Sequence, residues 1–211
     1  MVIRNEQEKD YRTVEEITRQ AFWNVYSPGC DEHYLAHILR EHEDFVQDLD
    51  LVIVENGKII ANIMYTKSKL IDIGGKEKEI LTFGPVSVLP DYQRKGYGRA
   101  LMEYSFKKAI ELGYDTIAIF GNPENYIPLG FKSCRKYNIC IGDGVFPTAL
   151  LVKELKEGAV PEGNWIFQES SAYDINEQLV VYFDKNFPPL MKEYKSSQEL
   201  FYIYSHSRIF K

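Results

Sequence analysis

The feature that most constrains the fold is the segment VSVLPDYQRKGYGRALMEYSFKKA at residues 86–109. It opens on alternating apolar residues, which are typical of a strand with one buried face. A proline and a basic turn with two glycines follow, and apolar residues then recur at a helical spacing. The segment therefore predicts a strand, a tight turn and a helix in immediate succession.

The rest of the chain predicts more strands and helices around this segment. Apolar residues at a helical spacing predict helices over 11–23 and 31–45. Short apolar runs predict strands over 51–54, 59–65, 80–88, 115–120 and 149–152, with a further strand beginning at 131. Asn56-Gly57 tolerates the positive φ of a tight hairpin, so the strands around it are antiparallel. These patterns predict an α/β fold with a mixed sheet flanked by helices.

A change in residue composition near residue 153 predicts the domain organisation. The segment ELKEGAVPEGNW is polar and rich in turn residues, and the sequence after it carries aromatic residues but few long apolar runs. Large aromatic side chains are seldom left in water. We therefore expect a domain over residues 1–152 and a small C-terminal appendage over residues 153–211 that packs on it.

Composition excludes some classes of function. The net charge of −6 argues against a nucleic-acid binder, which needs a basic surface, but is compatible with a cationic small molecule or basic peptide. Three cysteines are too few for a disulfide framework and indicate a reducing compartment. No apolar run approaches the roughly 20 residues of a membrane span. We expect a cytoplasmic protein, and the sequence leaves its oligomeric state open, a homodimer included.

The turn QRKGYG at residues 93–98 combines the properties of an anion site. The first N–H groups of a helix lack intrahelical partners and carry a partial positive charge. Gly96 and Gly98 let a diphosphate approach these groups, while Arg94, Lys95 and Arg99 add positive charge. The alternative is that the glycines only form a tight connection and the basic residues are solvated. Neither a Walker loop nor a dinucleotide GxGxxG motif is present.

Two motifs together resemble the GNAT superfamily of N-acetyltransferases. Gln-x-x-Gly-x-Gly after a strand is similar to the acyl-coenzyme A signature of that family. GNPENYIPLGF, at 121–131, resembles the segment in which a tyrosine, here Tyr126, precedes a Gly-Phe pair by four residues. The Gly-Asn-Pro at the start of this segment is similar to the Gly-Asp/Asn-Pro that members of one branch of the family carry before the tyrosine. The resemblance covers about residues 1–152.

The resemblance implies a sheet that splays apart between the strands ending at Val88 and Phe120, with acetyl-coenzyme A in the gap. Gly84-Pro85 fits a local bulge, since proline donates no ladder hydrogen bond. The resemblance implies a cofactor site formed by Val86, Ser87, Val88, Gln93, Arg94, Lys95, Gly96, Tyr97, Gly98, Arg99 and Asn122.

The resemblance also implies that the chain acetylates an amine by direct attack in a ternary complex, with Tyr126 protonating the leaving thiolate. Many family members carry a glutamate base eleven residues before the motif glutamine, where this chain has Thr82. A threonine cannot take up a proton at neutral pH, so Glu79 or Glu124 acts through water, or no dedicated base exists. The rival hypothesis is a coenzyme A sensor or interaction module without turnover. The sequence does not identify the acceptor amine.

Cys30, His33 and His37 form a cluster with two histidines one helical turn apart. A metal ion would need a fourth ligand, and none has convincing spacing. We therefore predict no metal and expect this helix to cover the acceptor site, with His33, Tyr34 or His37 against the substrate. Cys134 and Cys140 are interpreted as buried, unreactive thiols.

Overall fold

The computed structural model describes residues 1–210. The strands are β1 (Val2–Asn5), β2 (Leu51–Glu55), β3 (Lys58–Asp72), β4 (Glu77–Val88), β5 (Thr116–Phe120), β6 (Lys132–Ser133), β7 (Ile139–Cys140), β8 (Leu150–Glu154) and β9 (Trp165–Gln168). The helices are α1 (Tyr11–Phe22), α2 (Glu32–Leu39), α3 (Tyr97–Glu111), α4 (Pro123–Tyr126), α5 (Glu177–Asp184) and α6 (Ser196–His206), with short 3₁₀ turns between elements. None of the helices in residues 1–210 is long and apolar enough to cross a bilayer.

The strands form one mixed sheet in the order β1-β2-β3-β4-β5-β8-β6. Neighbours in this order are antiparallel except β4 and β5, which are parallel and pair only where Leu81 lies opposite Ile117. Beyond that pair the two strands diverge, which confirms the predicted splay. Outside this order, β9 pairs antiparallel with β3 and parallel with β7. The register of β3 and β4 shifts between Ile63 and Tyr65, opposite the predicted bulge at Gly84-Pro85.

The largest core cluster joins α1 and α3 to the centre of the sheet. Val14 and Ile17 of α1, with Leu101 and Phe106 of α3, contact buried residues of β2 to β5. Burying apolar side chains is the main favourable contribution to folding, at about 25 cal/mol per Å². This packing fixes the start of α3 beside the end of β4, where the predicted cofactor turn lies.

Two predicted elements are shorter than expected. The helix predicted over 31–45 ends at Leu39, because the chain turns and Phe45 forms a β-bridge with Thr66. The strand predicted from 131 is only β6, since the Ser133 side chain accepts a hydrogen bond from the N–H of Arg135 and starts a 3₁₀ turn. A pairing with a distant strand therefore ends the first apolar pattern, and a local side-chain hydrogen bond ends the second.

The chain after residue 152 makes many contacts with the preceding part, both through strand pairing and through its helices. β9 pairs with β3 through residues 165–168, so it extends the same sheet. At the end of α5, Asp184 accepts a hydrogen bond from Nε of Arg19 in α1 at 2.7 Å, and its Oδ1 lies 3.1 Å from Nε2 of His33 in α2. The division of the chain at residue 152 stays a prediction.

Candidate active site

The gap between β4 and β5 exposes one edge of β4 along its last residues. The N–H of Leu89 donates to the carbonyl of Ile60 on the β3 side. Because successive residues of a strand direct their backbone groups to opposite edges, those of Val88 and Val86 point into the gap. An extended ligand in the gap therefore has backbone donors and acceptors available along β4.

The turn after β4 curls back so that α3 begins directly beside this edge. Arg94 and Gly96 both adopt the left-handed conformation, with φ of 59° and 88°. Gly96 is the N-cap of α3, and a residue with Cβ is strained there. The N–H groups of Tyr97, Gly98 and Arg99 thus lie at a helix N-terminus and have no intrahelical acceptor. The local geometry is that of an anion-binding helix start.

Several side chains of the turn are held by hydrogen bonds to carbonyl groups. Gln93 Nε2 donates to the carbonyl of Val88 at 3.0 Å, and Arg99 donates to that of Pro128 at 2.9 Å. Lys95 Nζ donates to the carbonyl of Asp91 at 2.7 Å. Gln93 therefore links the turn to β4, and Arg99 links α3 to the segment after α4.

A groove of about 520 Å³ runs through the gap and over the turn. Nine of the residues predicted for the site line it: Val86, Ser87, Val88, Gln93, Arg94, Gly96, Gly98, Arg99 and Tyr126. Lys95 and Tyr97 lie beside it, and the Tyr97 ring packs on Tyr92 at 5.8 Å. Asn122 caps α4 by accepting a hydrogen bond from the N–H of Glu124. The motif residues thus converge on one cavity.

Tyr126 stands at the end of α4 and is half-buried. Its ring packs against both Phe83 and Phe131, with centroids 5.8 Å and 5.7 Å away. Burial raises the pKa of the phenol above its ordinary value, so the hydroxyl keeps its proton at neutral pH. A protonated phenol in the groove is a proton donor.

The Tyr126 ring lies so close to residue 121 that only glycine fits there, which the sequence analysis did not predict. A Cβ at position 121 would lie 2.4 Å from Cε2 and 2.9 Å from Cδ2 of that ring. The only sequence signal was the Gly-Asn-Pro opening, because the close approach depends on how α4 folds back over the strand end.

None of the groups considered as the base lines the groove. Thr82 is buried and donates to the hydroxyl of Ser68 at 2.8 Å. The Glu79 carboxylate lies 3.9 Å from Lys67 at the surface, and Glu124 is exposed in the first turn of α4. The described residues therefore hold no carboxylate at the position where the family's glutamate would stand.

The end of α1 and the loop after it also line the groove, which sequence reasoning missed. Phe22 and Tyr26 form this wall, with ring centroids 5.7 Å apart. Nearby, the buried side chains of Thr18, Asn62 and Ser87 form a hydrogen-bonded network that joins α1 to β3 and β4. These residues come from distant parts of the sequence, so no local pattern marks them.

The structure separates the predicted Cys30, His33 and His37 cluster. Cys30 Sγ lies 3.4 Å from Nδ1 of His33, whereas His37 turns away and contacts the Glu15 carboxylate at 2.9 Å. Burial raises the pKa of the Cys30 thiol and lowers that of His33, so both groups are neutral at pH 7. Within residues 1–210 no three such side chains form a metal site. Cys30 and His33 are a buried hydrogen-bonding pair.

The chain belongs to a known family of acyltransferases. The model of the acetyltransferase (GNAT) family matches residues 11–128, which is more than half of the chain. Among curated proteins, the uncharacterized N-acetyltransferase YjhQ of Escherichia coli is 24% identical over 164 residues, covering 77% of this chain and 81% of YjhQ.

Two solved structures share the fold. The GNAT family N-acetyltransferase YhbS of Escherichia coli, in complex with CoA, has a TM-score of 0.71 and 22% identity over 82% of this chain and 92% of that one. A GNAT family acetyltransferase of Brucella melitensis, in complex with acetyl-CoA, has a TM-score of 0.64 and 24% identity, covering 82% of this chain and 97% of that one. These structures confirm the predicted fold class.

Proposed function

We propose that this protein transfers the acetyl group of acetyl-CoA to a primary amine of a small molecule or peptide, by direct attack in a ternary complex. The observation that carries the proposal is the groove itself. One cavity brings together the open edge of β4, the N-terminus of α3 and the Tyr126 ring. Family membership and the CoA complexes named for the two structural neighbours support the same reading.

The residues present fit acetyl-CoA. The backbone of Val86 and Val88 offers hydrogen bonds to the pantetheine arm, and the N–H groups at the start of α3 suit the pyrophosphate. Gly98 follows in the first helical turn, where a Cβ would lie 3.4 Å from Cγ2 of Val88. Arg94, at the rim of the groove, adds positive charge for the phosphates.

The chemistry requires two contributions from the chain and one from solvent. A backbone N–H at the Val86 to Val88 edge stabilises the thioester oxygen as it gains charge. The neutral amine attacks the carbonyl carbon, and Tyr126 donates its proton to the departing sulfur. The attacking nitrogen loses a proton to solvent, because none of the residues considered as the base lines the groove. Tyr126 regains its proton from water after thiol release.

Thiol release from acetyl-CoA across a panel of primary amines tests the proposal, with Tyr126→Phe as the matched variant. We expect turnover with some amines and a large loss in the variant. Titration calorimetry with CoA runs in parallel. CoA binding without turnover on a broad panel would favour the second candidate, a non-catalytic CoA-binding module, for which the hydrogen-bonded Thr82 already argues. Absence of CoA binding would exclude both.

A further inference from the structure

A second cavity lies next to the groove and shares Phe22 and Tyr26 with it. We call this cavity of about 200 Å³ the aromatic pocket, and Phe22, Tyr26 and Phe201 form its walls. The Tyr26 and Phe201 ring centroids are 4.5 Å apart, so α6 covers the loop after α1. Phe22 and Tyr26 line both cavities, so the two cavities are adjacent and these two rings lie at their common boundary.

The aromatic pocket carries negative charge from Glu32 and Asp31 at the start of α2. Glu32 is partly buried, and Oε2 accepts one hydrogen bond from the N–H of Asp31 at 3.1 Å. In residues 1–210 no basic side chain pairs with the Glu32 carboxylate, and Lys192 is the cation that acts on Asp31. Burial raises the pKa of Glu32 to about 7. Such a carboxylate gains most from a cationic ligand.

Each of the two cavities has its own polar group for binding or reaction. Tyr126 lines the groove but not the aromatic pocket, whereas Glu32 lines the aromatic pocket but not the groove. A nitrogen held at Glu32 is therefore not the nitrogen that reacts beside Tyr126. An acceptor that uses both cavities has two polar ends, with an apolar segment between them along Phe22 and Tyr26.

We propose that the aromatic pocket is the acceptor-specificity site, and that Glu32 binds a second cationic group of the acceptor while the reacting amine lies in the groove. The acceptor class is then a diamine, or an amine with another cationic group across an apolar linker. Aromatic faces attract cations and also cover the linker. The net charge of −6 favours approach of such a ligand. This inference rests on the proposed acetyltransferase function.

The test compares diamines with monoamines of equal length, such as hexamethylenediamine and hexylamine, within a series from tetramethylene to octamethylene. Steady-state thiol release is measured at a pH of about 8, where the Glu32 carboxyl is ionised and alkylamines are largely protonated. We expect kcat/KM for the best diamine to exceed that of its monoamine by about tenfold or more, since hydrogen bonds to charged groups are the strong ones. Glu32→Gln should remove this preference mainly through the KM of the amine.

Glu199→Gln is the matched control, because Glu199 lies exposed on α6, outside the pocket, and loses the same charge. It should keep the preference. Phe201→Ala should weaken diamine binding without changing the KM of acetyl-CoA. Equal preference in Glu32→Gln and the wild type would overturn the proposal.

Direct binding separates this inference from the proposed function. Calorimetry of hexamethylenediamine with the full chain, without acetyl-CoA, should show binding that Glu32→Gln weakens and Glu199→Gln does not. If no amine supports thiol release, the proposed function fails and with it the role of the pocket in acceptor selection, whereas selective diamine binding would still show that Glu32 binds a cationic group there. Turnover on amines without a diamine preference would refute the pocket and leave the acetyltransferase function intact.

Discussion

Gly121→Ala should disable catalysis by moving the Tyr126 ring, although the substitution adds only one methyl group. The added Cβ would lie 2.4 Å from Cε2 of the ring, whereas carbon atoms in contact are about 3.5–4.0 Å apart. The ring must therefore shift by roughly 1 Å or more. Phe83 and Phe131 pack against it, so the shift is directed away from them.

The magnitude follows from the role proposed for the hydroxyl. A misplacement of about 1 Å can cost about 10²-fold in rate. Complete removal of a general acid lowers the rate by about 10²–10⁴-fold, so the loss in Gly121→Ala should not exceed this. Tyr126→Phe measures that upper limit directly. We expect a loss of about 10²-fold in the single-turnover rate with an acceptor found by the amine panel, and little change in acetyl-CoA affinity.

The controls separate this effect from a general loss of stability. Gly142→Ala adds the same methyl group where no atom lies within 4 Å, and it should leave the rate unchanged. If Gly121 acts through Tyr126, the double variant Gly121→Ala with Tyr126→Phe should be no slower than Tyr126→Phe alone. A folded Gly121→Ala protein with the full single-turnover rate would refute the reasoning.

Four further outcomes are expected. Tyr126→Phe should lower kcat by about 10²-fold or more while acetyl-CoA binding, measured by calorimetry, stays nearly unchanged. Gly98→Val should lower CoA affinity by about tenfold or more, because a branched side chain then covers the N-terminus of α3, and unchanged affinity would remove the phosphate site. Asp184→Ala should lower the free energy of unfolding by about 3 kcal/mol in urea titrations, since the buried Arg19 loses its carboxylate partner. Burial lowers the pKa of His33, so its contribution to stability should be constant above a pH of about 6.5 and fall as the pH decreases below it; the wild type should lose stability relative to His33→Asn between a pH of about 7 and 5, and a pH-independent difference between their urea midpoints would contradict this.

The turn between β4 and α3 could be predicted from the sequence because its constraints are local. Gly96 is needed for a positive φ, Gln93 bonds to a carbonyl five residues earlier, and Gly84-Pro85 marks the bulge. Each of these effects acts between residues that are close in the chain. A local sequence pattern therefore predicts both the turn and the helix that follows it.

The aromatic pocket, the proposed acceptor side, could not be predicted in the same way, because it depends on contacts between distant segments. Phe201 meets Tyr26 across 175 residues of sequence (201 − 26), and only the packing of α6 brings them together. Asp184 likewise meets Arg19 and His33 only after folding. β9, which pairs with β3, follows the polar segment at 154–164 that the sequence analysis interpreted as a domain boundary.

This difference bears on how the family fold can serve different acceptors. The family model matches residues 11–128, which include the cofactor groove but end before α5 and α6. Phe201 therefore comes from a part of the chain outside the matched region, while Tyr26 and Glu32 come from within it. A change in α6 can then alter the aromatic pocket without altering the backbone edge of β4 or the start of α3. Substitution of Phe201, the α6 residue that lines the pocket, should accordingly change the selectivity for amines while the KM of acetyl-CoA stays nearly unchanged.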